Sequence, residues 1–228
     1  MTRIVLITGA NRGIGRELAA QLAHSGDTVL LGSRDLEAGA QAAVEIDGEV
    51  HLVQIDITDD ASVEAAASAI EASHGRLDVL VNNAAGIFDR HQWAHNADLT
   101  IVAQALDLNL IGAWRVTLAM LPLLRRSESA RIVNVSSESG SLERMGGGIP
   151  AYRASKAALN AFTRTLASEL ADDGITVHSV SPGWTATEFG GPKGRPVPDG
   201  AASVRHVVDL PARAGTGGFY QDEARLPW

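Results

Sequence analysis

Six short, nearly continuous apolar runs separated by longer amphipathic stretches constrain this chain more than any other feature. The runs are "RIVLIT" (3–8), "TVLLGS" (28–33), "VHLVQI" (50–55), "LDVLVN" (77–82), "RIVNVS" (131–136) and "ITVHSV" (175–180). They are rich in β-branched residues, as strands buried on both faces should be. Helical patterning falls between them, at roughly 13–25, 35–46, 60–73, 98–126 and 150–172. Asp59 before "DASVEAAASAI" and Pro150 before "AYRASKAALNAF" are helix-start signals. Such alternation implies right-handed crossovers with helices on both faces of a parallel sheet. The expected fold is therefore α/β, a single-domain, Rossmann-type doubly wound parallel sheet over residues 1–228, a length sufficient for one sizeable core. One irregular stretch stands out, "GWTATEFGGPKGRPVPDG" at 183–200, directly after the sixth strand. A long loop in a compact domain is more often functional or mobile than accidental.

The chain has no cysteine, which excludes thiol catalysis, disulfides and thiolate metal sites. A net charge of −8 argues against a nucleic-acid partner. No apolar run approaches a membrane span, and "RIVLIT" is too short for a secretory segment, so a cytoplasmic protein is expected. His91 and His95 in "RHQWAH" have metal-ligand spacing on a helix but lack a third ligand. The expectation is no metal, with this loop and Trp93 lining a binding mouth.

The first strand runs into "TGANRGIG", with Gly9, Gly13 and Gly15. Glycines there permit a tight turn and close backbone approach, and the next helix start then faces an anion such as a pyrophosphate. The competing reading is a plain strand-to-helix turn. An NAD-preferring fold places an acid at the end of the second strand, about 20–25 residues on. Here that strand ends "LLGSRD", with Ser33 and Arg34 in the acid's place. Arg34 and Arg12 together can clamp a 2′-phosphate, which favours NADP(H). The alternative is a solvated Arg34, and Asp35 reads as a helix cap in either case.

Only two tyrosines and two lysines occur, and "YRASK" places Tyr152 and Lys156 four residues apart on one helix face. A phenol with a pKa near ~10 is a poor acid or base at neutral pH, and a neighbouring ammonium lowers that value. Proton transfer to or from a substrate oxygen becomes feasible. In isolation the pair reads better as a surface contact. It is not isolated: Ser137 ends the fifth strand, Asn82 and Asn83 the fourth, and Pro182–Gly183 the sixth. Ligands of open α/β sheets lie beyond these carboxyl ends.

This set resembles the short-chain dehydrogenase/reductase family over residues 3–188, through "TGANRGIG", "DI" at Asp56–Ile57, "NNAAG", "LNLIGA" around Asn109, "VSS", "YRASK" and "SPGWTAT". Where the family has "NNAG", this chain reads "NNAA" followed by Gly86. The resemblance implies Tyr152 as general acid in carbonyl reduction and base in alcohol oxidation, and Ser137 as a hydrogen-bond partner of the substrate oxygen. Lys156 would lower the Tyr152 pKa and hold the nicotinamide ribose. Asn109 would position a water in a proton relay, or bend its helix. Implied cofactor contacts are Gly9, Asn11, Arg12, Gly13, Ile14 and Gly15 in the turn, and Arg34 after the second strand. Asp56 would face the adenine, Asn83 the adenosine-side ribose region and Thr187 the carboxamide; Ile57, Ala84, Tyr152, Lys156, Pro182, Gly183 and Thr185 are further implied cofactor contacts.

"LGSRD", "PGWTATEFGGPKG" and "GGFYQDEARLPW" are most like the carbonyl-reductase branch. That likeness implies an NADPH-dependent reductase of a ketone or aldehyde. The alternatives are an NAD-linked alcohol dehydrogenase and a non-catalytic NADP(H)-sensing regulatory protein, and the joint presence of Asn109, Ser137, Tyr152 and Lys156 favours catalysis. Monomeric members of that branch carry an insertion before the tyrosine that this chain lacks. Ala157, Ala158 and Ala161 leave the catalytic helix slim, so a homodimer or homotetramer is expected. "MGGG" (145–148) reads as a mobile flap, and Trp184, Phe189 and the 183–200 loop as a wall and lid over the substrate.

Overall fold

Each of the six apolar runs forms a parallel strand. The computed structural model describes residues 2–228. In chain order, β1 (Ile4–Ile7), α1 (Gly13–His24), β2 (Thr28–Ser33), α2 (Leu36–Val44), β3 (Val50–Gln54), α3 (Asp60–His74) and β4 (Val79–Asn82) make the first half. Then come α4 (Leu99–Leu106), α5 (Gly112–Leu124), β5 (Arg131–Val135), α6 (Pro150–Glu169), β6 (Thr176–Val180), α7 (Val197–Val208), β7 (Phe219–Gln221) and β8 (Ala224–Arg225). The sheet order is β3-β2-β1-β4-β5-β6-β7-β8, parallel from β3 to β7, with β8 antiparallel at the edge. Winding reverses between β1 and β4, so a crevice opens beyond their carboxyl ends.

Two apolar layers cover the sheet. Leu6, Leu30, Leu80 and Ile132 face α3, α5 and α6 through Ile70, Met120 and Leu159. Val5, Val29, Val81 and Val133 face α1 and α7 through Leu18, Leu22, Val204 and Val207. The sequence reading missed α7 and placed 197–200 in a loop, but these residues open the helix. Val197 and Pro198 begin it, proline being tolerated in a first turn where an N–H has no partner. Without Val204, Val207 and Val208, one face of β5 and β6 would lie bare. Buried Arg131 closes the far end of α7 by donating to the carbonyls of Val207, Val208 and Leu210. The short β7 and β8 were also missed; β7 pairs with β6 at Ser179 and Val180.

Helices α4 and α5 form one continuous rod, Leu99–Leu124, widened by a π turn at Asp107–Ile111. Contrary to the sequence reading, this rod is long and apolar enough to cross a membrane by length and composition, with a mean hydropathy of 1.2. Its buried face carries Ala105, Val116, Met120, Leu123 and Leu124 into the protein core. A buried polar ladder ties the same region together. Asn82 donates to Asn134 (2.8 Å) and Thr117 (3.0 Å), Asn134 donates to Thr163 (2.9 Å), and Ser179 donates to Thr163 (2.8 Å). These buried bonds fix α6 against β4, β5 and β6, although Asn82 Oδ1 accepts no hydrogen bond among the described residues.

Candidate active site

A cleft of about 650 Å³ lies at the winding reversal. One wall is the glycine turn, where Gly13, Ile14 and Gly15 open α1. Arg12 stands at the N-cap without a side-chain cap bond, and no acid occupies the first turn. The leading amides of α1 are thus left for a ligand, and the helix dipole favours an anion there. The turn is close-packed behind. Gly9 has φ 64°, and a Cβ on it would lie 2.9 Å from Ala84 Cα. A Cβ on Gly15 would lie 2.5 Å from Asn83 Nδ2. A bare helix start over a glycine cradle fits the pyrophosphate of a dinucleotide.

The opposite wall carries Ser137, Tyr152 and Lys156. Ser137 leaves β5 extended, and its hydroxyl accepts from Ser139 N–H at 3.1 Å. Lys156 is buried one turn below Tyr152; its Nζ donates to Val135 O at 2.8 Å and lies 5.8 Å from the phenol ring centre. Burial pulls the Lys156 pKa down to about 8. Burial pushes the Tyr152 phenol above its ordinary value, while a hydrogen bond with Ser137 draws it back in part. The lysine was expected to depress the phenol, but desolvation is the larger effect.

Asn109 sits in the π turn, fully enclosed. Its Oδ1 accepts from Gly86 N–H and its Nδ2 donates to Ser155, each at 3.0 Å; Ser155 in turn donates to Tyr152 O at 2.8 Å. Both ends of the amide are committed to protein, so Asn109 joins the β4 loop to the tyrosine helix. The bend expected of this residue is the π turn itself.

A family model for the short chain dehydrogenase matches residues 3–196. The chain belongs to the short-chain dehydrogenase family. It is 31% identical to short-chain dehydrogenase/reductase 1 of Saponaria officinalis, over 99% of this chain and 96% of that protein. It is 34% identical to a 3-oxoacyl-(acyl-carrier-protein) reductase of Escherichia coli strain K12, over 82% of this chain and 75% of the other. Among solved structures it resembles an NADPH-bound carbonyl reductase from chicken fatty liver, with TM-score 0.89, 27% identity, and 100% and 99% of the two chains covered.

The remaining sequence-selected residues of this short-chain dehydrogenase divide by location. Pro182, Gly183, Thr185 and Thr187 line the cleft, and Thr185 is tied to the carbonyls of Pro182 and Gly183. Asn83 lines it as well, but its amide donates to the carbonyls of Thr8 (2.8 Å) and Gly9 (3.1 Å), so its visible work is bracing the glycine turn. Ala84 packs behind Gly9, while Ala85 lines the cleft. Asn11 is half-buried within the same turn. Asp56 ends the β3 edge, its carboxylate held below the usual range by bonds from Thr58. Ile57 is buried and packs on Gly112. Arg34 is exposed and makes no side-chain bond among the described residues, whereas Asp35 caps α2 through Ala38 N–H (3.1 Å). Arg12 instead forms an exposed ion pair with Glu188.

Other expectations change more. His91 has φ 71° and precedes a short 3₁₀ turn at Ala94–Asn96, so His91 and His95 share no α-helical face. Trp93 lies over Gly147 rather than in the cleft wall. Arg153 donates to the carbonyls of Gly147 (3.4 Å) and Gly148 (3.0 Å), which ties the glycine flap to α6. The cover of the cleft is aromatic: Phe88 and Phe189 meet at 5.5 Å and lie 5.1 and 5.7 Å from the Tyr152 ring. Arg90 donates to Phe189 O at 3.2 Å, and Trp184 Nε1 to Gly190 O at 2.9 Å. Sequence reasoning selected Phe189 and Trp184 but not Phe88, Asp89, Arg90 or Glu188, whose partners are distant in the chain.

Proposed function

We propose that this short-chain dehydrogenase is an NADPH-dependent oxidoreductase that reduces a ketone or aldehyde to an alcohol, with Tyr152 as proton donor. The observation that carries the reading is the convergence of Ser137, Tyr152 and Lys156 opposite an uncapped α1 start in one cleft. When bound, the nicotinamide supplies a hydride to the carbonyl carbon. Ser137 hydrogen-bonds the carbonyl oxygen, and Tyr152 gives that oxygen its proton. A phenol kept protonated by burial is the form that reduction needs. Lys156 is largely cationic at neutral pH and stabilises the phenolate left behind.

Free Arg34 supports NADPH, since Asp35 is spent on α2. The NADPH-bound relative from chicken points the same way. Exposed Ile111, Trp114 and Leu118 on the Leu99–Leu124 rod support a homo-oligomer. The test of the cofactor reading is a fluorescence titration of NADPH and NADH against the protein and Arg34→Ala. NADPH should bind more tightly, and Arg34→Ala should weaken NADPH about tenfold with NADH unmoved, about the size of one charged hydrogen bond. Equal affinities that the substitution leaves alone would overturn it.

A further inference from the structure

We infer that Asp89 is a positioning residue that fixes Tyr152 by closing the start of α6 from the β4 loop; the inference rests on Tyr152 being the proton donor. Helix α6 has no cap of its own. Its N-cap is Ile149, an apolar residue in the left-handed region at φ 48°, and its first residue, Pro150, has no N–H. A β-branched residue in that region is strained and needs support from its surroundings. Arg153 N–H returns to Ile149 O, which leaves two leading amides, those of Ala151 and Tyr152. Asp89 takes both: Oδ2 accepts from Ala151 at 2.9 Å and Oδ1 from Tyr152 at 3.1 Å.

Asp89 is only 5% exposed and forms no ion pair among the described residues. Its neighbours act on the same side chain. Phe88 packs on the Tyr152 ring, and Arg90 holds the carbonyl of Phe189, which covers that ring from the other loop. Three consecutive residues thus grip the tyrosine by amide, ring and cover. Ser137 is placed independently by β5, so a frayed first turn of α6 would move the phenol away from the hydroxyl it must work beside. Lys156 lies a turn deeper and keeps its own tether to Val135 O. A displacement near 1 Å in reacting geometry costs about a hundredfold in rate.

The test compares Asp89→Ala and Asp89→Asn with Asp59→Ala, which removes the cap of α3 at Ala61 N–H, at a residue that does not line the cleft. The readouts are kcat, KM, NADPH affinity and the tyrosinate absorbance titration. The titration is run in a Tyr220→Phe background, where Tyr152 is the only tyrosine. Asp89→Ala should lower kcat about 10- to 100-fold, with KM and NADPH affinity within about twofold. Asp89→Asn can accept from one amide only and should fall between; it carries the comparison if the alanine variant does not fold. Asp59→Ala should keep wild-type kcat. The Tyr152 midpoint should fall toward the ordinary phenol value in Asp89→Ala as the ring gains solvent. An unmoved midpoint with wild-type kcat, or an equal kcat loss in Asp59→Ala, would overturn the assignment. If the wild-type chain reduces no carbonyl compound, the proposed function fails while the titration still decides the role of Asp89.

Discussion

Helices α1 and α6 both begin beside the cleft, but α1 leaves its leading amides bare while α6 has them filled by a carboxylate from another loop. The same electrostatic resource, the positive end of a helix, is kept open for an anion in one case and spent on internal order in the other. The bare start depends on backbone and glycine, so its identity can be read from a short motif. The filled start serves a side chain whose position matters, and it is secured through contacts more than 60 residues apart. On the proposed function, pyrophosphate binding and proton transfer fall on opposite walls of one cleft and should be separable by mutation.

The strongest test of that separation is Tyr152→Phe. Turnover should fall at least about a hundredfold, the scale of a lost general acid, while the NADPH dissociation constant stays within twofold. A comparable loss of affinity would show that the two walls do not act independently. In the wild-type enzyme, kcat/KM for reduction should decline as pH rises through about 8, because burial lowers the Lys156 pKa and its charge is lost there. A smaller effect of opposite kind is expected from Gly15→Ala. Its methyl would lie 2.5 Å from Asn83 Nδ2 and 2.6 Å from Gly9 O, so the cradle must shift. NADPH affinity should drop about tenfold and stability by about 1–3 kcal/mol, measured by titration and denaturant unfolding. The smallest effect belongs to Glu188→Gln. It frees Arg12 from an exposed ion pair worth about 0–1 kcal/mol, so NADPH should bind up to about fivefold tighter at low salt. That gain should fade in high salt, where exposed charges are screened.

Local signals made most of the architecture legible. The apolar runs located β1 to β6 nearly to the residue, and Asp59 and Pro150 marked real helix starts. Helix α7 was hidden because prolines and glycines upstream made 183–200 look uniformly irregular, although "VPDGAASVRHVV" carries an apolar stripe. At the candidate site, Ser137 was legible from the end of β5, Tyr152 and Lys156 from their spacing on one helix face, and Asn109 only through its place in "LNLIGA". Asp89 was not, since nothing in "GIFDRH" relates it to a helix that starts at Pro150. The pairing of Arg12 with Glu188 was invisible for the same reason: two exposed charges meet only once the loop after β6 folds over the glycine turn. The phenol pKa was misjudged because sequence shows a neighbouring ammonium but not the depth of burial.

The π turn at Asp107–Ile111 has a consequence for chain length. A π turn holds one residue more than the α-helical path it interrupts, and each residue of an α-helix turns the chain by about 100°. Deleting a single residue here would let the rod relax to regular α-helix and rotate one end against the other. Asn109 would swing off Gly86 and Ser155, although every apolar side chain needed for the core would still be encoded. Between Leu99 and Leu124 the count of residues is itself part of the active site, so an indel there should do more harm than most substitutions.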